Sequence, residues 1–557
     1  VKCYTARGLG SVLGFLLSLG IVALGQPARA GWLGALASAF GFALFFASLP
    51  PFLLKVQRFL LGSLWFTAVQ MIQLSWMTSI EFQGYYILFV YLFLSIGLGC
   101  QFGLLAVLVP ASGRIPLFTL LYCSAFWTLM EWSRLFFICG FSWNPTGMAL
   151  THNFFSLQFA SAIGVFGLSF WILLTNLAAL NVWRENFKKT LVAGWLLLIA
   201  FPYLFGAAHL AYHFPKSEKQ RQTIDAALVQ TALLPSEKIP HNGRSSEFIS
   251  AFVQWERIIK GLQESCSSNW GMIVLPEAAV PLQSDRTLYP FEAVRTTLVR
   301  ELGPSVVDNF PDLSYPFAEK QMVNGSAVIC VSNLFWCQTL ANYFDAELVV
   351  GLDHTDRENQ KNFNSAFYLR PQESSIKRYD KQVLLPLAEY LPLDFLKPLT
   401  KGYGIFDFFT RGGESKVFGE KIPFSPSICY EETFTEVMRE GRSKGAQLFV
   451  NLTNDNYYPD SSLHEQHLFH ARIRAVENGI PLIRSCNSGV SAAVDSFGRI
   501  AARMESPRSF SSSRTGVLTC SLNAYHFFTP FSFWGDGLII GYCMIICLFF
   551  WRRKLRN

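Results

Sequence analysis

From about residue 9 to residue 213 the chain is a succession of long apolar runs broken by short polar or basic stretches, and from 214 to about 525 it alternates like a water-facing globular protein. A helix needs about 20 predominantly apolar residues to cross the hydrocarbon core of a bilayer. Such runs fall at 9–25, 31–53, 59–77, 85–110, 116–139, 157–183 and 190–212, and one more at 534–551. Lys2 and Arg7 before the first run and Ala28-Arg29-Ala30 after it give it the flanks of a signal peptide. A second apolar run follows immediately, so the first is read as a membrane helix. The pattern predicts a membrane domain of about seven helices over 1–213, a soluble domain over 214–530, and a last membrane helix with a basic tail over 531–557.

Within the soluble part, short β-rich runs recur between helical patterns, at 226–229, 272–275, 348–351, 365–369, 447–452, 482–485 and 491–495. This alternation predicts a layered α/β domain rather than a bundle or a pure sandwich of strands. No glycine-rich phosphate loop follows any of these runs, which argues against nucleotide binding.

Composition sharpens the division. An apolar share of 51% over 557 residues lies outside the soluble class. The net charge of +7 does not indicate nucleic acid, because the basic residues cluster at the ends of apolar runs and form no stripe interleaved with aromatics. Lys2, Arg7, Lys55, Arg58, Arg114, Arg184, Lys188 and Lys189 share one side if each run spans once, and Arg552, Arg553, Lys554 and Arg556 join them. The opposite short loops hold little beyond Arg29. The positive-inside rule then puts both termini in the cytoplasm and the soluble domain outside it. Twelve cysteines with no CxxC pair do not make a disulfide scaffold. Six of them, Cys266, Cys330, Cys337, Cys429, Cys486 and Cys520, lie where an oxidising compartment would permit pairing, and the sequence does not say which would pair.

Glu131 and Arg134 fall inside an apolar run, where charges are costly unless they pair or line a polar cavity. An ion pair between helices and a lipid or substrate entrance are both open readings.

Three strand ends carry reactive groups. Glu277 follows Ile273-Val274-Leu275-Pro276, Lys381 lies in Tyr379-Asp380-Lys381-Gln382 with Glu389 eight residues on, and Cys429 opens Cys429-Tyr430-Glu431-Glu432 after an apolar stretch. A carboxylate in a dry site can take the proton of a thiol, which then attacks a carbonyl. Glu277 suits the base, and Lys381 with the Tyr430 N–H suits the oxyanion. Taken singly, Cys429 fits a packed small residue more often than a nucleophile, Lys381 usually reads as a solvated charge, and Glu277 is equally a helix cap.

In their order along the chain, Leu275-Pro276-Glu277, then Tyr379-Asp380-Lys381 with Pro386, Glu389 and Pro392, then Cys429-Tyr430-Glu431 resemble the three catalytic blocks of the nitrilase, or carbon-nitrogen hydrolase, superfamily. The membrane arrangement resembles its membrane branch, the apolipoprotein N-acyltransferase family. Asn364-Ser365-Ala366, Asn454-Asp455, Gln466-His467, the run 471–479, Arg484-Ser485-Cys486-Asn487-Ser488-Gly489 and the Gly-Phe-x-Trp motif at 140–143 have counterparts there. The resemblance implies an αββα sandwich carrying a Glu277, Lys381, Cys429 triad. It implies acyl transfer from a phospholipid, through a thioester on Cys429, to the N-terminal amine of a diacylglyceryl-cysteine. Glu389 would support the site, with Tyr430 and Glu431 as further supports or simply helix-start residues. No metal or organic cofactor is implied, and the expected partners are the bilayer, a phospholipid and a diacylated apolipoprotein, with the enzyme a monomer in a bacterial cytoplasmic membrane.

The chain departs from that pattern in places. Thr231, Ala232 and Leu233 follow Gln230, Ile239 follows Lys238, Asn456-Tyr457-Tyr458-Pro459 follows Asn454-Asp455, and the segment 283–345 fits poorly. A metal site at His464, His467 and His470 lacks the HExxH spacing, and a helix face is the better reading. A membrane-tethered amidase, with water resolving the thioester, would use the same triad. A transporter or sensor with a silent nitrilase-like module would not need Cys429. Apolar loop residues at Phe335-Trp336, Tyr390-Leu391 and Phe406 to Phe409 are expected to dip toward the bilayer and admit lipid.

Overall fold

The computed structural model describes residues 2–138, 140–220, 222–240, 244–265, 269–323, 325–386, 388–391, 408–459, 461–505 and 515–556. The chain divides into two compact units, one of 1–219, 461–479 and 527–557, the other of 220–460 and 480–526.

The first unit is helical. A helix lies at every apolar run expected from the sequence. Four described helices are long and apolar enough to cross a membrane: Gly31–Ser48, Tyr86–Leu108, Ala160–Arg184 and Lys189–Lys219. The others fall short in length or apolarity: Leu117–Ser133 has 17 residues, and Lys55–Gln73 carries Lys55, Gln57, Arg58, Gln70 and Gln73. Buried Arg58 is satisfied by the end of a neighbouring helix, donating from Nε and Nη2 to the Ala106 carbonyl and from Nη2 to that of Val109. These carbonyls have no partner within their own helix, so a guanidinium is a natural cap for them. Asn176 does the same for the π-helical stretch Ala37–Gly41: Nδ2 donates to the Ala37 and Ser38 carbonyls while Oδ1 accepts from the Phe42 and Ala43 amides. Irregular backbone in an apolar surrounding needs such a partner.

Glu131, in the last turn of the helix Leu117–Ser133, and Arg134, which caps that helix, stand 3.8 Å apart, so the ion pair is local to one helix end and not between two helices. Glu131 also accepts from the Thr146 amide and hydroxyl at 2.8 and 2.7 Å. The helix Leu463–Asn478 belongs to this unit, and its Gln466 is a hub. Gln466 Oε1 accepts from the indoles of Trp143 at 2.6 Å and Trp76 at 3.1 Å, and Nε2 donates to the Gln73 carbonyl. His467 and His470 lay their rings beside Trp143.

The second unit is built on two sheets. Its strands are β1 (Thr223–Gln230), β2 (Met272–Val274), β3 (Tyr289–Pro290), β4 (Ala318–Val323), β5 (Ser326–Val331), β6 (Glu347–Asp356), β7 (Lys361–Leu369), β8 (Lys377–Asp380), β9 (Phe424–Ile428), β10 (Leu448–Thr453), β11 (Leu482–Cys486), β12 (Val490–Val494), β13 (Ile500–Glu505) and β14 (Gly516–Asn523). The first sheet runs β14-β1-β2-β6-β7-β8 and the second β13-β12-β11-β10-β9. Side chains alternate across a strand, and here both faces are buried. Ile224, Ala226 and Leu228 of β1 meet Ile428, Val450, Leu452 and Ile483 between the sheets. Ala227 and Val229 turn to the helices outside. Burial on both faces explains why these strands read as apolar runs. The helix Ala251–Ser265 presents Trp255, Ile258, Ile259 and Leu262, one helical stripe, to that outer core, and Thr435–Ser443 packs beside β9.

The segment 283–345 forms β3, β4 and β5, a small sheet of order β3-β5-β4, with the helices Phe291–Leu302 and Asn333–Phe344. Phe335 and Trp336 are fully buried in the core, with the Trp336 indole stacked on Trp255 at 5.7 Å. The expectation that these two dip toward a bilayer is therefore corrected, because they are core side chains of a helix and not loop tips. Phe406 and Asp407 lie outside the described residues, as do Pro392, Cys139 and Cys266. Cys330, Cys337, Cys429, Cys486 and Cys520 are all unpaired.

Candidate active site

Each of the three reactive residues emerges just past a strand of this two-sheet unit, where side chains leave the packed layers and converge. Glu277 is the third residue past β2, Lys381 follows β8 directly and Cys429 follows β9 directly. Lys381 is 1% exposed, and its Nζ donates to Glu277 Oε1 at 3.0 Å and to Glu389 Oε1 at 2.8 Å. Asn364, on β7, donates from Nδ2 to the same two oxygens at 2.8 and 2.9 Å. One ammonium and one amide thus clamp two carboxylates together, which like charges would otherwise resist. Burial works against the Lys381 charge, but Glu277 and Glu389 more than offset it and hold the ammonium firmly protonated.

The backbone around the site is fixed as tightly. The Lys381 N–H donates to the Asn364 carbonyl at 2.9 Å, and its own carbonyl accepts from Gly412 N–H at 2.8 Å. Glu389 takes the Leu385 N–H on Oε2 at 2.8 Å, and its carbonyl receives the Phe409 N–H. Beside Glu277, strand β6 comes so close that a Cβ on Gly351 would lie 2.6 Å from the Glu277 Cα. Glycine there admits the bonds from Ala279 N–H to the Gly351 carbonyl and from Gly351 N–H to the Pro276 carbonyl.

Cys429 sits at the turn from β9 into the short helix Cys429–Thr433, with a φ of +52°. A left-handed conformation on a residue with a Cβ costs on the order of 1–3 kcal/mol and persists only where its surroundings enforce it. Glu431 is what enforces it. Its carboxylate, fully buried, accepts from the Ile428 N–H at 2.7 Å, the Tyr379 hydroxyl at 2.8 Å, and the N–H groups of Gln382 and Val383. Glu431 therefore ties the nucleophile turn to the stretch just after Lys381. Burial pushes its carboxyl up to about 6, with those hydrogen bonds opposing the shift. Tyr430 presents its ring edge-on to Phe434, and its carbonyl accepts from the Thr433 hydroxyl. Asn451 donates to the Cys429 carbonyl at 3.3 Å. Burial drives the Cys429 thiol well above its ordinary range, the charge on Glu277 adds to this, and Lys381 opposes it. The resting sulfur is a thiol beside a base, so proton removal has to accompany attack.

Two groups flank this set with no role foreseen from the sequence. Lys238 is 5% exposed, and burial lowers it to about 8. Asp353, on β6, is pushed up to about 7 by burial and then by Glu277, with Lys238 opposing. A further buried knot joins Arg484 to Glu432 at 3.0 Å and to Asp455 at 3.4 Å, behind Cys429. The signal for Asn364, Arg484 and Asp455 lay in the blocks that resemble the family, which marked the residues without indicating their contacts, while Lys238 stood beside a departure from that pattern. Asp353 stood out in no block.

A carbon-nitrogen hydrolase fold with a Glu-Lys-Cys site is the class these features define, and the carbon-nitrogen hydrolase profile matches residues 225–509. The profile of the apolipoprotein N-acyltransferase N-terminal domain matches residues 14–178. An apolipoprotein N-acyltransferase of Chlamydia trachomatis serovar D is 30% identical over 567 residues, covering 97% of this chain and 97% of its own. That of Chlamydia caviae is 29% identical over 548 residues, 94% of each chain. A solved carbon-nitrogen hydrolase of Helicobacter pylori is similar over 54% of this chain and 89% of its own, at 16% identity and a TM-score of 0.33. The chain belongs to the apolipoprotein N-acyltransferase family, and it is an acyltransferase of the nitrilase superfamily with membrane-length helices.

Proposed function

We propose that the chain transfers an acyl chain from a phospholipid, by way of a thioester on Cys429, to the N-terminal amine of the diacylglyceryl-cysteine of an apolipoprotein. Glu277 takes the thiol proton as Cys429 Sγ attacks the ester carbonyl. Lys381 and the Tyr430 N–H receive the oxyanion. Collapse of the tetrahedral intermediate breaks the ester C–O bond, and Glu277 returns the proton to the departing lysophospholipid oxygen. In the second half, the lipoprotein amine attacks the thioester, Glu277 accepts its proton, and the Cys429 sulfur leaves and is reprotonated. Glu389 and Asn364 keep Lys381 and Glu277 in register, and Glu431 keeps the Cys429 turn in place.

The observation that supports this most is the Lys381 ammonium held between two carboxylates beside a thiol on a left-handed turn. Donors fixed before the reaction need no reorganisation as charge develops, and removing one such donor typically costs about 10²–10³ in rate. The distribution of basic residues supports an extracytoplasmic position for the catalytic domain on a bacterial cytoplasmic membrane. Tyr390, Leu391, Phe408 and Phe409, on the segments tied to Glu389, are the remaining candidates for an apolar lipid entrance.

The test is to incubate the purified protein with a phospholipid bearing a labelled acyl chain and no acceptor. A hydroxylamine-sensitive adduct on Cys429 is expected, absent from Cys429→Ala, and passing to a diacylated lipopeptide when that is added. Ammonia release from small amides without any phospholipid adduct would replace this reading with that of an amidase.

A further inference from the structure

Lys238 is a buried cation with too few partners for a structural role. It ends the short helix Pro235–Lys238, and its carbonyl is held by Gln254 Nε2 at 3.1 Å. Among the described residues its Nζ makes a single hydrogen bond, 3.4 Å to the main-chain carbonyl of Glu277. An ammonium has three N–H donors, so two are left over in a place from which water is largely excluded. A charge buried this way costs stability unless it is paired and fully hydrogen-bonded. The acidic groups that act on it are Glu277 and Asp353, with the Cys486 thiol nearby, and all lie at or behind the site.

The Glu277 carboxylate has a corresponding need. Among the described residues Lys381 is the one cation in contact with it, and Glu389 shares that cation through the same kind of oxygen. Asp353 adds a further acidic group nearby, and Cys429 becomes an anion as it reacts. Two carboxylates on one ammonium leave a negative excess, which a second cation nearby offsets.

We propose that Lys238 is a positioning residue for the base: it fastens the Glu277 main chain through its carbonyl and sets a second positive charge on the Glu277 side of the site, so that the carboxylate stays placed to take the Cys429 proton. This inference rests on the acyl-enzyme reading above. Lys238 acts through Glu277 and touches neither lipid in this account. Its loss changes the rate of acylation and its dependence on pH, and leaves phospholipid binding unchanged.

The experiment follows single-turnover acylation of Cys429 in the full-length protein, in mixed micelles of a zwitterionic phospholipid with a labelled palmitoyl chain, across the pH range. In Lys238→Met the acid limb of the rate profile is expected to move up by about one pH unit. The rate at neutral pH is expected to fall roughly tenfold, with the half-saturating phospholipid concentration within about twofold of the parent. Lys238→Gln, neutral and shorter, is expected to show the same shift and stands in should the methionine variant not fold. Lys238→Arg, which keeps the charge, is expected to keep the parent limb. An acid limb unmoved in the neutral variants, or a loss confined to phospholipid saturation, overturns the role of Lys238 while the parent's adduct still upholds the acyl-enzyme reading. A parent that forms no adduct overturns that reading, and this inference with it.

Discussion

Lys381 and Lys238 are both withdrawn from water, yet among the described residues only Lys381 has carboxylates in contact. The consequence is a difference in sign. For Lys381, truncation would leave Glu277 and Glu389 facing each other without their shared cation, a loss of about 3–5 kcal/mol by the usual behaviour of broken buried pairs. For Lys238, burial lowers the folded-state value from 10.5 to about 8, so the folded protein holds this proton less tightly than the unfolded chain. The resulting penalty is full below about 8 and disappears as the pH rises past 10.5, where both states are neutral. Lys238→Met is therefore expected to raise Tm at neutral pH by the equivalent of roughly 2 kcal/mol, with the gain fading as the pH rises through that interval. Thermal scans of the two proteins at pH values on either side of the interval check it. A lower Tm for the methionine variant would show that the lysine holds the fold together, against the view that the fold carries it for the sake of Glu277.

At the scale of the elements, the base depends on a neighbouring strand as much as on its own. Gly351 of β6 lies so close to the Glu277 turn that a methyl group would meet the Glu277 Cα at 2.6 Å and the Pro276 carbonyl oxygen at 2.7 Å. Both are backbone atoms and cannot swing aside. Gly351→Ala is expected to push Glu277 off Lys381 and Asn364, cutting acylation by about 10²-fold and lowering stability by about 1–3 kcal/mol. Measuring single-turnover acylation beside a thermal scan separates the two effects, and a variant with parent-like acylation would mean the turn relaxes freely. The same contact shows why the site was only partly legible in the sequence. Glu277 and Cys429 could be found because each stands just past an apolar strand, a local pattern, whereas Lys381 follows the charged strand Lys377–Asp380 and was marked by the block that resembles the family. Gly351, Asn364 and Asp353 act across strand pairings β2–β6 and β6–β7, and no linear spacing reveals which residues face each other there. The strands that were predicted are buried on both faces along the predicted runs, although β9, equally buried, was not among them. The little sheet of β3, β5 and β4 escaped notice because its exposed, mixed segments, such as Ser326–Val331, carry no clean alternation. Phe335 and Trp336 were misplaced for a related reason: in a helix buried nearly all round, aromatic residues have no polar face beside them to mark the core side.

On the scale of the whole molecule, the chain combines helices of membrane length with a two-sheet unit that holds buried ion pairs such as Lys381 with Glu389 and Arg484 with Glu432. A bilayer tests charge differently, by where it lies along the chain. The loop between the helices Ala160–Arg184 and Lys189–Lys219 carries Arg184, Lys188 and Lys189, and Arg184 anchors it by donating to the Pro110 and Ala111 carbonyls at the end of another helix. Short loops rich in Lys and Arg stay in the cytoplasm, so the next helix should deliver the chain after residue 219 to the other side. Alkaline phosphatase, active only outside the cytoplasm, is expected to be active when fused after residue 219 and inactive when fused after residue 188. A cytoplasmic green fluorescent reporter is expected to give the complementary pattern. The reverse result would put the thiol and its lipid substrates on the cytoplasmic leaflet and would remove the oxidising compartment from consideration. The expected result would leave the unpaired Cys330, Cys337, Cys486 and Cys520 in an oxidising space, protected by burial alone, with Cys429 open to attack only where its own turn brings it to substrate.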